Sequence, residues 1–243
     1  MIIIGSLAAV SVLAGAVAGI AGFGIGTLVT PVLTLWWGTK LAVAMVAIPH
    51  LAGTALRFWL LRHRIDRRVL GSFGSASALG GLLGAWLHVR FASTFLRIVL
   101  GGLLVCAGVA GLTGAGERLR VKGAVAWAAG VLSGFLGGLV GHQGGIRTAA
   151  MLGLEVPRDA FIATTTAVAL IIDGVRIPFY LASHTESLSR HAPVIAMMTA
   201  GTLVGTIVGC AVLKEIPERL FRRVISGPIV ALGLFMLLRA DPS

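Results

Sequence analysis

Long apolar runs follow one another along almost the whole chain, and they constrain the fold more than any other feature. Most are about 20 residues long, the length that a helix needs to cross roughly 30 Å of hydrocarbon. The runs lie at residues 2–38, 41–61, 69–88, 92–113, 123–154, 159–181, 192–213 and 220–238. Only 12% of the residues are charged, against about 25% in soluble domains. The sequence therefore predicts an all-α, polytopic integral membrane protein, with residues 1–243 forming a single transmembrane domain in contact with membrane lipid.

The net charge of +11 does not indicate nucleic-acid binding. The Lys and Arg residues lie mostly between the apolar runs instead of forming one basic face, a pattern that is typical of membrane topology signals. We therefore expect a multi-pass protein of the cell (inner) membrane and no nucleic-acid partner. Cys106 and Cys210 lie inside apolar runs without metal-ligand spacing, so we expect reduced thiols, no metal and no cofactor.

The chain contains an internal repeat. The segment "AGAVAGIAGFGIG" (14–26) matches "AGVLSGFLGGLVG" (129–141) at an offset of 115 residues. Further matches keep the same order, so we predict repeat 1 over 1–113 and repeat 2 over 118–238. The glycine spacing is typical of small-residue faces on which transmembrane helices pack closely. Such faces serve contacts within the chain and homodimers equally well.

Each repeat opens with an apolar segment that is too long for one helix and too short for two full spans. Glycines interrupt both segments: Gly22, Gly24 and Gly26 in the first, and Gly141, Gly144 and Gly145 in the second. The arms after these glycines reach only about 15–20 Å at 1.5 Å per residue. Each opener is therefore either one broken span or a hairpin that enters and leaves by the same side.

The basic residues favour the hairpin. With the loop at 62–68 in the cytoplasm, hairpins place 12 basic residues inside and 5 outside, whereas single spans place 9 and 8; cytoplasmic loops are the basic ones. One hairpin plus three transmembrane helices is an odd number of crossings, so the two repeats are inverted. Inverted repeats with broken helices are typical of transporters that work by alternating access.

The two glycine turns predict an anion site. Non-helical backbone persists at membrane depth only where protein buries it or a polar cavity receives it, and a helix start attracts anions. Arg147, one turn into the second arm, adds a full positive charge. The predicted substrate-binding residues of the turns are Gly22, Gly24, Gly26, Thr27, Gly141, His142, Gln143, Gly144, Gly145 and Arg147. Two alternatives stay open: Arg147 reaches the membrane surface or satisfies nearby carbonyls, and His142 and Gln143 cap the hairpin.

Asp173 is the only acid deep inside an apolar run, and such residues are functional candidates by default. It is predicted to carry a coupling proton; the alternative is an intrahelical pair with Arg176 three residues later. The hydroxyls of Thr164, Thr165 and Thr166 are candidates to contact the anion, Thr165 first among them, although such hydroxyls more often bond to carbonyls of their own helix.

Repeat 1 carries polar residues opposite this segment. Arg57 falls near the repeat position of Arg176, and a cation from each half suits a pseudo-symmetric anion site, so both are predicted to bind substrate. Arg57 is also close enough to a helix end to reach the surface. His50 is a second proton-coupling candidate, with a buried structural histidine as the alternative.

The glycine-rich openers "GIAGFGIGTLVTPVL" (19–33) and "GFLGGLVGHQGGIRTAAML" (134–152), with "AFIATTTAVALIIDGVRIPFYL" (160–181), resemble the sulfite exporter TauE/SafE family of membrane permeases. The resemblance covers essentially the whole chain. It implies transport of small anions such as sulfite, sulfonates and sulfoacetate, and it implies that the glycines of both openers form turns. The turns "GFGIG" (22–26) and "GHQGG" (141–145) both depart from the "GxGGG" of the family.

The sequence therefore predicts a secondary transporter of small sulfur-containing or organic anions that is proton-coupled through Asp173 or a histidine. An anion channel and a membrane subunit that scaffolds a partner are the alternatives. We do not expect an enzyme, because the sequence shows no nucleophile–base pair at recognisable spacing, no nucleotide-binding loop and no metal motif.

Overall fold

Helices make up almost all of the part of the chain that the structure describes. The structure is a computed structural model that describes residues 2–21, 24–114, 123–142, 147, 151, 158–212 and 218–239. Within these residues there are eight long helices and no strand: α1 (Ile2–Ala21), α2 (Ile25–Leu61), α3 (Arg67–Arg90), α4 (Ser93–Thr113), α5 (Gly123–Val140), α6 (Arg158–Arg190), α7 (Ala192–Val212) and α8 (Glu218–Leu238). Arg147 and Met151 are also helical. The all-α prediction is confirmed.

Five of the described helices are long and apolar enough to cross a bilayer, which fits a polytopic membrane protein. Many large apolar side chains on the outside of the bundle are exposed, among them Leu79, Leu83 and Trp86. In a soluble protein a surface of this kind would be an aggregation hazard. In a membrane protein it faces lipid.

Helix α6 is longer than the apolar run that predicted it. The run ends near residue 181, but the helix continues to Arg190 through the polar stretch "ASHTESLSR". Hydroxyl side chains there bond to carbonyls one turn back, as Thr185 does to Leu181 (2.5 Å), and Arg190 pairs with Glu186 (2.9 Å). The apolar run therefore marked the buried part of the helix and missed its polar end.

Both predicted breaks are present. Helix α1 ends at Ala21, and α2 begins at Ile25, after Gly24 with φ of 145°. Helix α5 ends at Val140, and Gly141 has φ of 73°. Glycine adopts these positive φ values without the steric cost that a Cβ would add. The Gly141 amide donates to the Gly137 carbonyl (3.1 Å), which is the left-handed cap common at helix ends.

The first opener folds back on itself. A Cβ added to Gly24 would touch the side chain of Val17, so the chain reverses between α1 and α2. A second reversal lies inside α2 at Gly38, where φ is 69° and ψ is 161°. As a consequence, the Ile25 side chain packs against Gly53. Residues 25–37 thus form an arm between α1 and residues 39–61.

The helices pack in pairs that join the two halves of the chain. Helix α1 packs on α7, α3 on α5, α4 on α8, and α2 on α6. Glycines make the close contacts: Gly15 and Gly19 of α1 lie against the α7 backbone, and Gly134 and Gly138 of α5 lie against the α3 backbone. These small-residue faces are used inside the chain, and the homodimer stays a prediction.

The α3–α5 contact predicts the effect of adding one methyl group. In Gly134→Ala the new Cβ would overlap the Ser77 backbone, so the helices must separate; overpacking of this kind costs about 1–3 kcal/mol. We expect a lower thermal midpoint in detergent. Gly102→Ala is the control, because nothing lies within 4 Å of its Cβ position and alanine favours the helix by up to about 1 kcal/mol. Equal midpoints for both variants would contradict the close approach.

Candidate functional site

The end of α5 lies inside the protein, and side chains from two other helices satisfy its backbone. A helix leaves its last carbonyls without intrahelical partners. Three successive carbonyls of the last turn each accept a hydrogen bond from a different side chain. Arg176 donates to Gly137 (3.0 Å), Tyr180 to Gly138 and His88 to Leu139 (2.7 Å). The positive charge of Arg176 also suits the negative end of the helix dipole. The break is therefore held by fixed donors.

The end of α1 is held in the same way. Arg57 of α2 donates to the Ala18 carbonyl, and the Cys210 thiol lies 3.9 Å from the Gly19 carbonyl. Arg57 is only 2% exposed, so its guanidinium is inside the protein and does not reach the surface. One nitrogen of Arg57, Nε, has no hydrogen-bond partner among the described residues.

Asp173 lies in a buried network that joins α2 to α6. One carboxylate oxygen is 2.7 Å from Nδ1 of His50, and the other accepts from Arg176 at 2.9 and 2.8 Å. The intrahelical pair with Arg176 that was the alternative is thus present, and the two proton-coupling candidates, Asp173 and His50, lie in direct contact. Their role in coupling stays a prediction.

The two breaks meet each other. Thr27, at the start of α2, and His142, after α5, lie 3.2 Å apart from hydroxyl to Nδ1, and both are buried. A Cβ added to Gly26 would touch the Gly141 carbonyl, so only glycine permits this approach. Of the residues predicted for the turns, the structure brings these four together, next to Gly24.

Arg147 is a buried cation with unused donors. It is 3% exposed, so the surface position that was its alternative is excluded. Its Nε and Nη1 have no hydrogen-bond partner among the described residues. A buried charge without partners is costly, and nearly all buried polar groups have a partner. The described part of Arg147's surroundings therefore lacks the group that would balance it.

The buried charges that the structure describes near Arg147 do not cancel. Arg57 and Asp173 are close enough to act on it electrostatically, and Asp173 is already paired with Arg176. Among these described residues, three buried arginines and one buried carboxylate leave a formal excess of two positive charges. In a medium of low dielectric such an excess favours a bound anion.

The candidate threonines of α6 differ in their hydrogen bonding. The Thr165 hydroxyl, predicted to contact the anion, donates to the Ile162 carbonyl of its own helix (3.0 Å). The next hydroxyl, that of Thr166, is fully buried and has no partner among the described residues. The structure thus offers Thr166 as the free hydroxyl, and the role of Thr165 stays a prediction.

Some predicted residues cannot be placed, and others were missed. Gly22, Gln143, Gly144 and Gly145 lie outside the described residues. The sequence did not indicate that Tyr180 and His88 cap the end of α5. The signal that could have found them is a single polar ring within an apolar helix, combined with a predicted helix end that needs donors.

Comparison with known proteins identifies a family. The model of a family described as Sulfite exporter TauE/SafE matches residues 7–236, nearly the whole chain. No curated protein and no solved structure matches.

The Asp173 network predicts a large loss of stability when its charge is removed. In Asp173→Asn the Arg176 guanidinium is left buried without its counter-charge, and breaking a buried pair costs about 3–5 kcal/mol. We expect the thermal midpoint in detergent to fall by roughly 6–15 °C. The matched control is Glu186→Gln, which breaks an exposed pair of the same helix and should change stability by no more than about 1 kcal/mol. A midpoint unchanged in Asp173→Asn would show that the network does not hold α2 and α6 together.

Proposed function

The chain belongs to the sulfite exporter TauE/SafE family, a family of multi-pass membrane transporters, and we propose that it is a secondary transporter of small sulfur-containing or organic anions. Sulfite, sulfonates and sulfoacetate are the proposed substrates, the cell (inner) membrane is the proposed location, and alternating access is the proposed mechanism. The family membership rests on the match over residues 7–236. The buried arginines, the start of α2 and the matched helix contacts support the proposed substrate class and mechanism.

Arg147 is the observation that supports anion binding most strongly. Its guanidinium presents fixed donors in a plane, a geometry that matches the oxygens of carboxylate and phosphate groups, and sulfite and sulfonate oxygens offer similar acceptors. Two of its nitrogens are buried and unpartnered among the described residues. An oxyanion between Arg147 and Arg57 would balance the excess positive charge and fill these donors.

The start of α2 supplies further donors in this proposal. The first intrahelical bond of α2 runs from Leu28 to Gly24 (3.0 Å), so the amides of Ile25, Gly26 and Thr27 precede it. Amides at a helix start attract anions. Gly26 and Thr27 also contact the other break, so the proposed site lies where both openers meet.

Inverted repeats are proposed for the architecture, and a set of matched contacts supports the repeat. Gly15 of α1 and Gly134 of α5 are 119 residues apart, and their partners, Thr202 and Ser77, are 125 residues apart. Gly19 and Gly138 repeat this relation, with Thr206 and Gly81 as partners. Seen from the partner helices, Gly205 faces Val12 as Gly80 faces Val131. The contacts therefore favour an offset of 119 residues for the openers.

Arg57 and Arg176 are related by the same offset of 119 residues. Arg57 donates to Ala18, and Arg176, 119 residues later, donates to Gly137, 119 residues after Ala18. The offset of 115 read from the sequence differs by one helical turn. Small residues repeat every four positions in both openers, so the sequence pattern matches itself nearly as well after a shift of one turn.

Alternating access needs two arrangements of the same contacts, and pseudo-symmetric repeats provide them by exchanging the surroundings of the two openers. In the proposed mechanism the openers rock as units, with Arg57 and Arg176 holding the broken helix ends throughout. The Asp173–His50 contact spans the two halves, so movement of one half alters it.

An anion channel is the second candidate function, and a scaffold for a partner protein is the third. A channel would show flux that does not saturate and no counterflow. A scaffold would show no flux when the purified chain is reconstituted alone. Saturable uptake with counterflow would support the transporter against both.

The proposed substrate site predicts the effect of Arg147→Gln. In proteoliposomes with labelled sulfite or sulfoacetate, the variant should lose at least about tenfold in apparent affinity, since a charged hydrogen-bond partner contributes about 1.5–3 kcal/mol. The same anions should raise the thermal midpoint of the wild type and not that of the variant. Arg190→Gln is the control, because its side chain is exposed. Wild-type affinity in Arg147→Gln would reject the site.

The hairpin model predicts opposite sides for two exposed positions. In a variant without Cys106 and Cys210, a cysteine at His63 should react from the cytoplasm and one at Ser189 from the outside. A membrane-impermeant thiol reagent applied to intact and opened cells measures this. If both cysteines react from the same side, the openers are single spans and the repeats are not inverted.

A further inference from the structure

A second polar cluster lies beside the end of α5 and has no place in the anion site. It consists of His88 of α3, Tyr180 and His184 of α6, and Lys40 of α2. The His88 and Tyr180 rings are 4.5 Å apart, and the His88 and His184 rings are 6.2 Å apart. Lys40 donates from Nζ to the Val89 carbonyl (2.6 Å), next to His88.

His88 is fully buried with one nitrogen unused. Its Nδ1 lies 2.7 Å from the Leu139 carbonyl, and because a carbonyl only accepts, Nδ1 carries the hydrogen. In the neutral ring Nε2 is then the basic nitrogen. Nε2 has no hydrogen-bond partner among the described residues, and the side chain is 0% exposed. A buried, unpaired base inside a membrane protein calls for an explanation.

Asp173 is a poorer proton acceptor on the same evidence. Both of its carboxylate oxygens are engaged, one with His50 and the other with Arg176. A proton on Asp173 would remove the charge that balances Arg176 in this buried ion pair. A proton on Nε2 of His88 displaces no described partner.

The surroundings of His88 link its protonation to an anion. The groups around His88 that can carry positive charge are His184 and Arg176 on α6 and Lys40 on α2, while α5 presents the Leu139 carbonyl. No carboxylate is among these described groups. A proton on Nε2 would place a charge inside the protein beside these cations, and an anion bound nearby would balance that charge. Leu139 is two residues before Gly141, where α5 breaks, so the added charge would lie at the break.

We propose that His88 is the residue that takes up the coupling proton, one proton on Nε2 for each anion bound at the break, with His184 as its contact to the aqueous side. This rests on the proposed function. His184 is half-buried, lies where α6 departs from helical geometry (φ −133°, ψ 23°), and has Nδ1 2.7 Å from the Ser183 hydroxyl. The proton is gained from water when the anion binds and returned when the anion leaves. By linkage, protonation and anion binding strengthen each other.

The variant His88→Asn tests proton uptake by His88 apart from its capping of α5. The Asn amide can still donate to the Leu139 carbonyl, but the variant has no titrating nitrogen. Uptake of labelled sulfite and sulfoacetate is measured in proteoliposomes at constant external pH, so that the charge of the anion does not change, while the internal pH is varied. We expect uptake by the wild type to rise about tenfold over two pH units of inward proton gradient, and uptake by His88→Asn to change less than about twofold.

The control is His191→Asn. His191 lies at the same end of α6, with Nδ1 2.7 Å from the Ser187 carbonyl, and the variant should respond to the gradient as the wild type does. If His88→Asn does not fold, His88→Gln takes its place.

The outcomes are distinct. A wild type that transports neither anion overturns the proposed function and this inference with it. A wild type that transports without responding to the gradient overturns the inference alone, whichever variants fold. A gradient response that persists in His88→Asn, or that Asp173→Asn abolishes while His88→Asn keeps it, also overturns it.

Discussion

The structure depends on satisfying helix ends that lie inside the protein. Both openers break at buried positions, and each break leaves carbonyls that need donors. Arg57 answers this need for α1, and Arg176, Tyr180 and His88 answer it for α5. Each donor comes from a different helix than the carbonyl that it caps, so the caps also fix how the helices sit together.

The three buried arginines near the breaks differ in the groups that they contact. Arg57 and Arg176 each donate to a helix end, and Arg176 is also bound to Asp173. Arg147 has unused donors among the described residues. Its position after a break, close to Arg57, makes it the arginine best suited to a substrate. Three similar cations within one buried region thus differ because their partners differ.

Matched contacts also support the proposed repeat. Glycines 119 residues apart face backbone positions with a constant separation, and Arg57 and Arg176, also 119 residues apart, donate to carbonyls with the same separation. The capping residues are less symmetric, since α5 receives Tyr180 and His88 where α1 has the Cys210 thiol. Among the described residues, that difference puts His88, the proposed proton acceptor, at the end of α5 and gives the proposed cycle a proton-dependent side.

The sequence by itself determined the all-helical membrane class, the family and the position of both breaks. These follow from local features: run length, hydropathy, and glycines where positive φ is required. Only the tertiary contacts favour 119 over 115 residues as the offset of the proposed repeat, because small residues four apart match themselves after a shift of one turn. The tertiary structure also decided which polar residue is engaged and which is free, as with Thr165 and Thr166. A side chain's partner usually comes from another helix, and no spacing within one helix specifies it.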